Sequence, residues 1–299
     1  MQLKLIDRKH KVVYHNTMLE NTFQHIKGIG PDTERKLWDC GITSWNRVLN
    51  NDECMNNLQG SFKHRLIREI SISHENLLNK NIHHFIENLP AKSIWRVFPN
   101  FRDKAVYFDI ETTGLYDYDS YITTISLYDG EEIKYYINGI NLEKFAEDIF
   151  NYDLLITYNG KGFDVPWVEK FFKIKLPHAH IDLRFLLSSL GYKGGLKKIE
   201  KAFGIDRGDL DGIDGFFGIK LWFDYLENKN EKALETLLAY NIEDVVNLEL
   251  LMILAYNKCL CETPFMGANK LPVIERPKIP YQPDMETVQQ LLMSGGTWY

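Results

Sequence analysis

The sequence predicts an α/β protein: a mixed five-stranded sheet with helices on both faces, preceded by a small helical region. Three observations carry this. Up to residue 92 the chain reads as amphipathic helices interrupted by glycine and proline. From Lys104 the character changes to short runs rich in β-branched and aromatic residues, "AVYFDI", "YITTISLYD" and "EIKYYIN", with turn residues between them. Helical and strand-like segments then alternate, the pattern of helices laid on a sheet.

Each element has its own signal. "TMLENTFQHI" carries apolar residues at helical spacing and predicts a first helix. Gly28-Ile29-Gly30 ends it, Pro31 opens a second at "DTERKLWDC", and Gly41 closes that one. "FKHRLIREISISHENLLNK" predicts a long amphipathic helix, and "LPAKSIWRVFPNF", with two prolines, reads as a linker. After the three strands, "NLEKFAEDIF" predicts a helix capped by its asparagine. "DLLITYNG" predicts a fourth strand, "FDVPWVEKFF" a helix and "HAHIDL" a short fifth strand. "RFLLSSLGY", "LKKIEKAFGI", "FFGIKLWFDYLEN" and "EKALETLLAYNIEDVVNLELLMILAYNKCL" follow as helices. The expected organisation is a helical region over 1–92, an α/β domain over 93–261 and a proline-containing tail over 262–299, with a short helix near "METVQQLLM".

Bulk properties exclude some classes. The 299 residues are 44% hydrophobic and 25% charged, which fits a soluble globular chain. No apolar run is long enough to span a bilayer. The opening "MQLKLIDRKHKVV" lacks the apolar centre of a secretion signal, so a cytoplasmic protein without a membrane partner is expected. Cys40, Cys54, Cys259 and Cys261 are scattered; one Cys-x-Cys without a second pair is no zinc pattern, and free thiols are expected. The net charge of −6 hides an asymmetry: residues 1–90 hold 12 Lys+Arg against 10 Asp+Glu, the remainder 23 against 31. A basic first segment joined to an acidic second one suggests two different tasks.

"AVYFDIETTGL" ends a buried strand on two carboxylates. Side chains two apart on a strand share a face, so Asp109 and Glu111 project together. Adjacent anions are unfavourable unless a cation lies between them; alone, the pair fits a solvated strand end as well as a metal site. Asp164 follows "YNGKGF" at a strand-to-helix junction. Asp244, in "AYNIEDVV", sits among apolar residues of a long helix, where its charge needs a partner. Tyr240 lies one helical turn before it, on the same side.

These three stretches resemble the three motifs of the DEDD exonucleases, the DnaQ-like branch of the ribonuclease-H-like fold. "FDIETTGL" matches the first, "YNGKGFD" the second and "YNIED" the third in its Tyr-x-x-x-Asp form, the DEDDy subclass, in the same order across residues 104–258. The text around "HIDL", "GYKGGLKKIEKAFGI" and "LLAYNIEDVVNLELL" resembles the YprB-like group. The resemblance implies a ribonuclease-H-like sheet and a two-metal phosphodiesterase. Asp109 would bridge two Mg²⁺ or Mn²⁺ ions, Glu111 and Asp244 would complete one shell, and Asp164 would support the second. Oxygen-only donors suit these hard ions independently of the resemblance. Tyr240 would orient the attacking water. Thr112 to Leu115 would offer backbone N–H groups and a leucine wedge to the terminal nucleotide. Asn159 and Phe163 would line the same cleft, although Phe163 fits plain core equally well. Asp182 fits either a strand-end cap or support for the site, and His178 and His180 read as structural.

"HIKGIGPDTERKLWDCGI" resembles a helix-hairpin-helix. Gly28 and Gly30 would let the chain approach a phosphate, the next helix would offer its N-terminal N–H groups, and Lys27 would add charge. Packing between helices is the plain alternative. The expected function is therefore a metal-dependent 3′–5′ exonuclease on nucleic acid, DNA slightly favoured over RNA, with the 3′ polarity implied by the resemblance. The alternatives are a 3′–5′ exoribonuclease of RNA processing or decay, and a non-catalytic nucleic-acid-binding module.

Overall fold

The computed structural model describes residues 17–114, 119–208 and 215–293. Two compact units divide the chain: Met1–Lys104 with Ala255–Val273, and Ala105–Leu254 with Ile274–Tyr299. Among the described residues no helix is long and apolar enough to cross a membrane.

In the first unit the expected opening helix does not form. Residues 17–30 run as successive turns, because side chains claim the backbone groups that a helix would use. Glu34 accepts the N–H groups of Phe23 and Gln24. The indole N–H groups of Trp38 and Trp45 donate to the carbonyls of Asn21 and Thr22. Helix α1 (Pro31–Asp39) starts at its proline, as expected. Gly41, at φ +86°, closes it in a left-handed conformation that other residues resist. Helices α2 (Trp45–Leu49), α3 (Gly60–Leu78) and α4 (Ile82–Asn88) follow.

The stretch read as a linker is core instead. Residues 91–97 form a 3₁₀ helix and Phe98–Phe101 helix α5. Trp95, Val97, Phe98 and Phe101 are buried. Each large apolar side chain gains about 1.5–3 kcal/mol by leaving water, which outweighs the local signal of the prolines. Arg96 is buried with them and pairs both carboxylate oxygens of Glu34 at 2.9 Å.

The second unit carries the sheet: β1 (Ala105–Thr112), β2 (Ile122–Tyr128), β3 (Ile133–Ile137), β4 (Leu154–Thr157) and β5 (Ala179–Asp182), in the order β3-β2-β1-β4-β5. β1, β2 and β3 pair antiparallel; β4 and β5 join parallel to β1. This is the mixed five-stranded arrangement of a ribonuclease-H-like fold. Alternation assigns the two faces. Val106, Phe108 and Ile110 of β1 pack with Ile125 and Leu127 of β2 against Phe145 of α6 (Phe145–Asp148) and Trp167 and Val168 of α7 (Asp164–Phe172). Asp109 faces the other side, where Thr124 and Ser126 hydrogen-bond Asn241.

The asparagine expected to cap "NLEKFAEDIF" does another job. Asn141 accepts the Ile137 N–H at 2.7 Å and donates to the Tyr135 carbonyl, tying off β3. The segment after it breaks into short 3₁₀ and α turns. Helices α8 (Leu183–Ser189), α9 (Leu196–Phe203), α10 (Gly215–Asn228) and α11 (Glu231–Leu260) follow. The short α12 (Met266–Asn269) groups with the first unit, and α13 (Met285–Met293) with the second. From the last segment, Arg276 pairs with Glu243 and the Tyr281 hydroxyl donates to that of Tyr135.

Candidate active site

The end of β1 is where pairing becomes one-sided. Its ladder with β4 covers Ala105 to Tyr107, whereas the ladder with β2 continues to Thr112 through a bulge after Glu111. The unescorted half of β1 carries Asp109 and Glu111. Asp164, the first residue of α7, accepts the Ile110 N–H at 3.1 Å, so a side chain replaces the strand that has ended. Asp244 and Tyr240 reach the same face from α11.

Carboxylate oxygens of Asp109, Glu111 and Asp244 lie within 4.8 Å of one another. Glu111, Asp164 and Asp244 are buried and Asp109 half-buried. Burial first, then Asp164, Asp244 and Glu111, push the Asp109 carboxyl well above the ordinary carboxylate range; a 2.8 Å hydrogen bond from Asn241 opposes this. Glu111 is raised by burial, Asp244 and Asp164, with Lys197 and Arg207 pulling it back. Burial lifts Asp164 to about 7 and Asp244 to about 6, the latter against the pull of Arg207. Four carboxylates crowded out of water strain against each other, and an all-oxygen donor set of this kind fits a hard divalent cation.

Tyr240 is buried, with the Lys197 ammonium 4.7 Å from its ring centroid. Burial, Asp244 and Glu111 raise its hydroxyl above the ordinary phenol value. It therefore stays protonated and can donate or accept a hydrogen bond while keeping its proton.

The other expected residues divide. Thr112 is buried and donates its hydroxyl to the Gly114 carbonyl. Phe163 packs on the sheet core beside Trp167. Asn159 holds a left-handed backbone at φ +68° and accepts a 2.6 Å hydrogen bond from Arg184. Asp182 caps α8 and also takes the Asn159 and Lys161 N–H groups, which explains it without a metal. Leu115 lies outside the described residues. Lys27, Gly28 and Gly30 are exposed in the first unit, Gly28 at φ +87° ahead of α1.

Some residues at the site were not anticipated. Arg207 pairs with Asp244 and grips Glu200 of α9 through Nε and Nη2. Asn241, between Tyr240 and Asp244 in the motif, ties Asp109 to β2. Gly218 of α10 packs so near that a Cβ there would lie 3.1 Å from Glu111 Oε2. The usable signals were an asparagine inside "YNIED" and a helix-interior glycine; "GIDRGD" offers none for Arg207.

A family model described as the RNase_H superfamily matches residues 106–256, half of the chain, and the protein belongs to that superfamily. No curated protein sequence matches it. Among solved structures, the family B DNA polymerase from the hyperthermophilic archaeon Pyrobaculum calidifontis is 18% identical. That match covers 52% of this chain and 24% of the polymerase, with a TM-score of 0.40. Brucella melitensis NrnC with bound Mg²⁺ is 17% identical, over 55% of this chain and 78% of that one, at a TM-score of 0.38. The catalytic core of RRP6 from Trypanosoma brucei is 15% identical, over 72% and 58%, at a TM-score of 0.38.

Proposed function

We propose that this protein is a divalent-metal-dependent 3′–5′ exonuclease of the DEDDy type, related to the YprB-like group, with DNA slightly favoured over RNA. The observation that carries the reading is the convergence of Asp109, Glu111 and Asp244 within 4.8 Å of one another. Asp164 and Tyr240 join the same electrostatic neighbourhood. In this reading a water oxygen bonds to the phosphorus while the P–O3′ bond breaks, releasing a nucleoside 5′-monophosphate and leaving a new 3′-hydroxyl.

Asp109, Glu111, Asp244 and Asp164 would hold the ions through their carboxylate oxygens. Bound Mg²⁺ or Mn²⁺ supplies positive charge to the phosphate oxygens and acidifies a water. Asn241 fixes the Asp109 carboxylate in orientation, and Ile110 does the same for Asp164. Tyr240, holding its proton, positions the water through its hydroxyl. The exposed turn that carries Lys27, Gly28 and Gly30 ahead of α1, which lacks the first helix of a helix-hairpin-helix, adds a sequence-independent grip on phosphates.

The test is hydrolysis of matched 5′-labelled DNA and RNA, single-stranded and duplex, with Mn²⁺ and with EDTA. A ladder of progressively shorter labelled products that vanishes in EDTA is expected, faster on DNA. Full activity after exhaustive chelation overturns the metal reading. Immediate release of labelled mononucleotide overturns the polarity, and an RNA-only ladder makes the protein an exoribonuclease.

A further inference from the structure

Arg207 has more hydrogen-bonding capacity than its surroundings use. Its side chain is 3% exposed. Nε and Nη2 are held by the two oxygens of Glu200, and Nη2 also reaches Asp244. Glu200 is itself fixed by a 2.8 Å hydrogen bond from Asn247 of α11. The guanidinium lies 5.7 Å from the centroid of the Tyr240 ring, and Nη1 is buried with no hydrogen-bond partner among the described residues. A guanidinium nitrogen shut away from water with unmet donors is costly unless something fills the position. Glu200 thus sets the angle of a planar fork whose remaining edge is buried and lacks a hydrogen-bond acceptor among the described residues, beside Asp244, a proposed metal ligand.

The charges point the same way. Two divalent ions, if bound, would balance the four site carboxylates. Glu200 cancels one of the two cations in electrostatic reach of Glu111, Lys197 and Arg207. The positive charge left over matches the single negative charge of a phosphodiester. Arginine is the side chain whose fixed planar donors fit phosphate oxygens.

We infer that Arg207 is a catalytic residue whose Nη1 donates to a non-bridging oxygen of the scissile phosphate, with Glu200 fixing its orientation. This rests on the nuclease reading but assigns a contact that the carboxylate motifs do not contain. A donor held in place before the reaction, aimed where charge develops, contributes more than one that must be reorganised. The rival role is structural, Arg207 serving only to neutralise Asp244 and Glu200.

Three variants separate these roles: Arg207→Lys, Arg207→Gln, and the pair Glu200→Gln with Arg207→Gln, which leaves Glu200 with no unpaired charge. Circular dichroism and thermal melting establish which are folded. Turnover and KM are measured on a 5′-labelled oligonucleotide at saturating Mn²⁺, beside Asp109→Asn. Equilibrium binding of adenosine 5′-monophosphate with Ca²⁺ is measured separately. The folded pair variant should lose about 10²–10³-fold in kcat, the scale of one positioned donor, and bind the mononucleotide more weakly. Arg207→Lys, keeping charge without the fork, should fall between it and wild type. A folded pair variant with wild-type kcat and wild-type mononucleotide affinity overturns the inference. If the pair variant does not fold, wild-type kcat in Arg207→Lys overturns it. If the wild type itself shows no metal-dependent hydrolysis, the nuclease reading fails and mononucleotide binding decides Arg207 alone. Equal affinity in wild type and variant, or no binding by wild type, then overturns it.

Discussion

Two buried arginine–glutamate pairs make an instructive contrast. In the first unit, Glu34 has every oxygen engaged: Arg96 meets both, the N–H groups of Phe23 and Gln24 meet one, and the Gln24 amide meets the other. Arg96 lies against the rings of Trp38 and Trp95, at 5.9 and 5.5 Å, as Arg207 lies against that of Tyr240 at 5.7 Å. Among the described residues each guanidinium keeps one buried nitrogen without a hydrogen-bond partner, so the pairs differ in the carboxylates around them. In the second unit, Arg207 and Glu200 are paired as closely, yet they border four carboxylates whose protons are held abnormally tightly. Charge that is compensated in place holds turns together. Charge in excess of its partners marks a site that awaits something from outside. The residue types alone do not distinguish the two; the balance around them does.

The contrast can be broken most sharply at Asp109. Asp109→Asn removes a repelled carboxylate, so it should leave the fold as stable as wild type while turnover falls by about 10⁴-fold or more, the scale of losing a central catalytic group. Near-normal turnover would move the active site elsewhere. Arg96→Ala should do the reverse. It strands Glu34 in the interior and should cost about 3–5 kcal/mol in urea unfolding, with turnover per folded molecule retained. A stability change near zero would make the Glu34 cluster incidental.

Smaller effects sharpen the picture. Tyr240→Phe should slow turnover by about 10²–10³-fold, less than Asp244→Asn, as expected for a lost positioned contact. An unchanged rate would give the hydroxyl no part. In the metal-free protein, Asp164 and Asp244 bind protons up to about pH 7 and 6, above the ordinary value of 3.8. The folded state then holds protons that the unfolded chain has already released. This contribution to stability therefore falls as pH rises from about 4 to about 7. Thermal melts should show that decline without metal. Saturating Mg²⁺ should flatten it and add about 2.7 kcal/mol at a hundred times its Kd. A contribution that rises with pH in that window, or no response to Mg²⁺, would contradict the crowded-carboxylate picture. Smallest is Lys27→Glu at the exposed hairpin. In the Asp109→Asn background it should flatten the log–log salt dependence of duplex binding by about 0.9 per lost phosphate contact. An unaltered slope would assign the hairpin to packing.

What was legible in the sequence followed from local periodicity and spacing. The strands announced themselves through short β-branched and aromatic runs between turn residues, and the "FDIE" and "YNIED" carboxylates through being charged where the pattern is apolar. The failures were long-range. "TMLENTFQHI" has helical spacing, but Glu34, Trp38 and Trp45 take its backbone groups from later in the chain. "LPAKSIWRVFPNF" reads as a connector only until Trp95, Phe98 and Phe101 are seen to be buried. Arg207 sits after a glycine turn with no periodic neighbour, so nothing local separates it from a surface arginine; its partners are seven and thirty-seven positions away.

Gly218 bears on how this protein could be made sturdier. Replacing a helix-interior glycine by alanine is a standard route to a more heat-resistant enzyme, since it recovers about 0.5–1 kcal/mol of helix propensity. At this position the added methyl would press on Glu111 Oε2 at 3.1 Å and on Leu237 at 3.4 Å. The same substitution that stiffens α10 would press Glu111, a proposed metal ligand, out of place by a few tenths of an ångström. A screen scoring only melting temperature would accept it, and one scoring hydrolysis would discard it. The absence of a single carbon atom thus sets a local ceiling on how far durability can be raised without loss of chemistry.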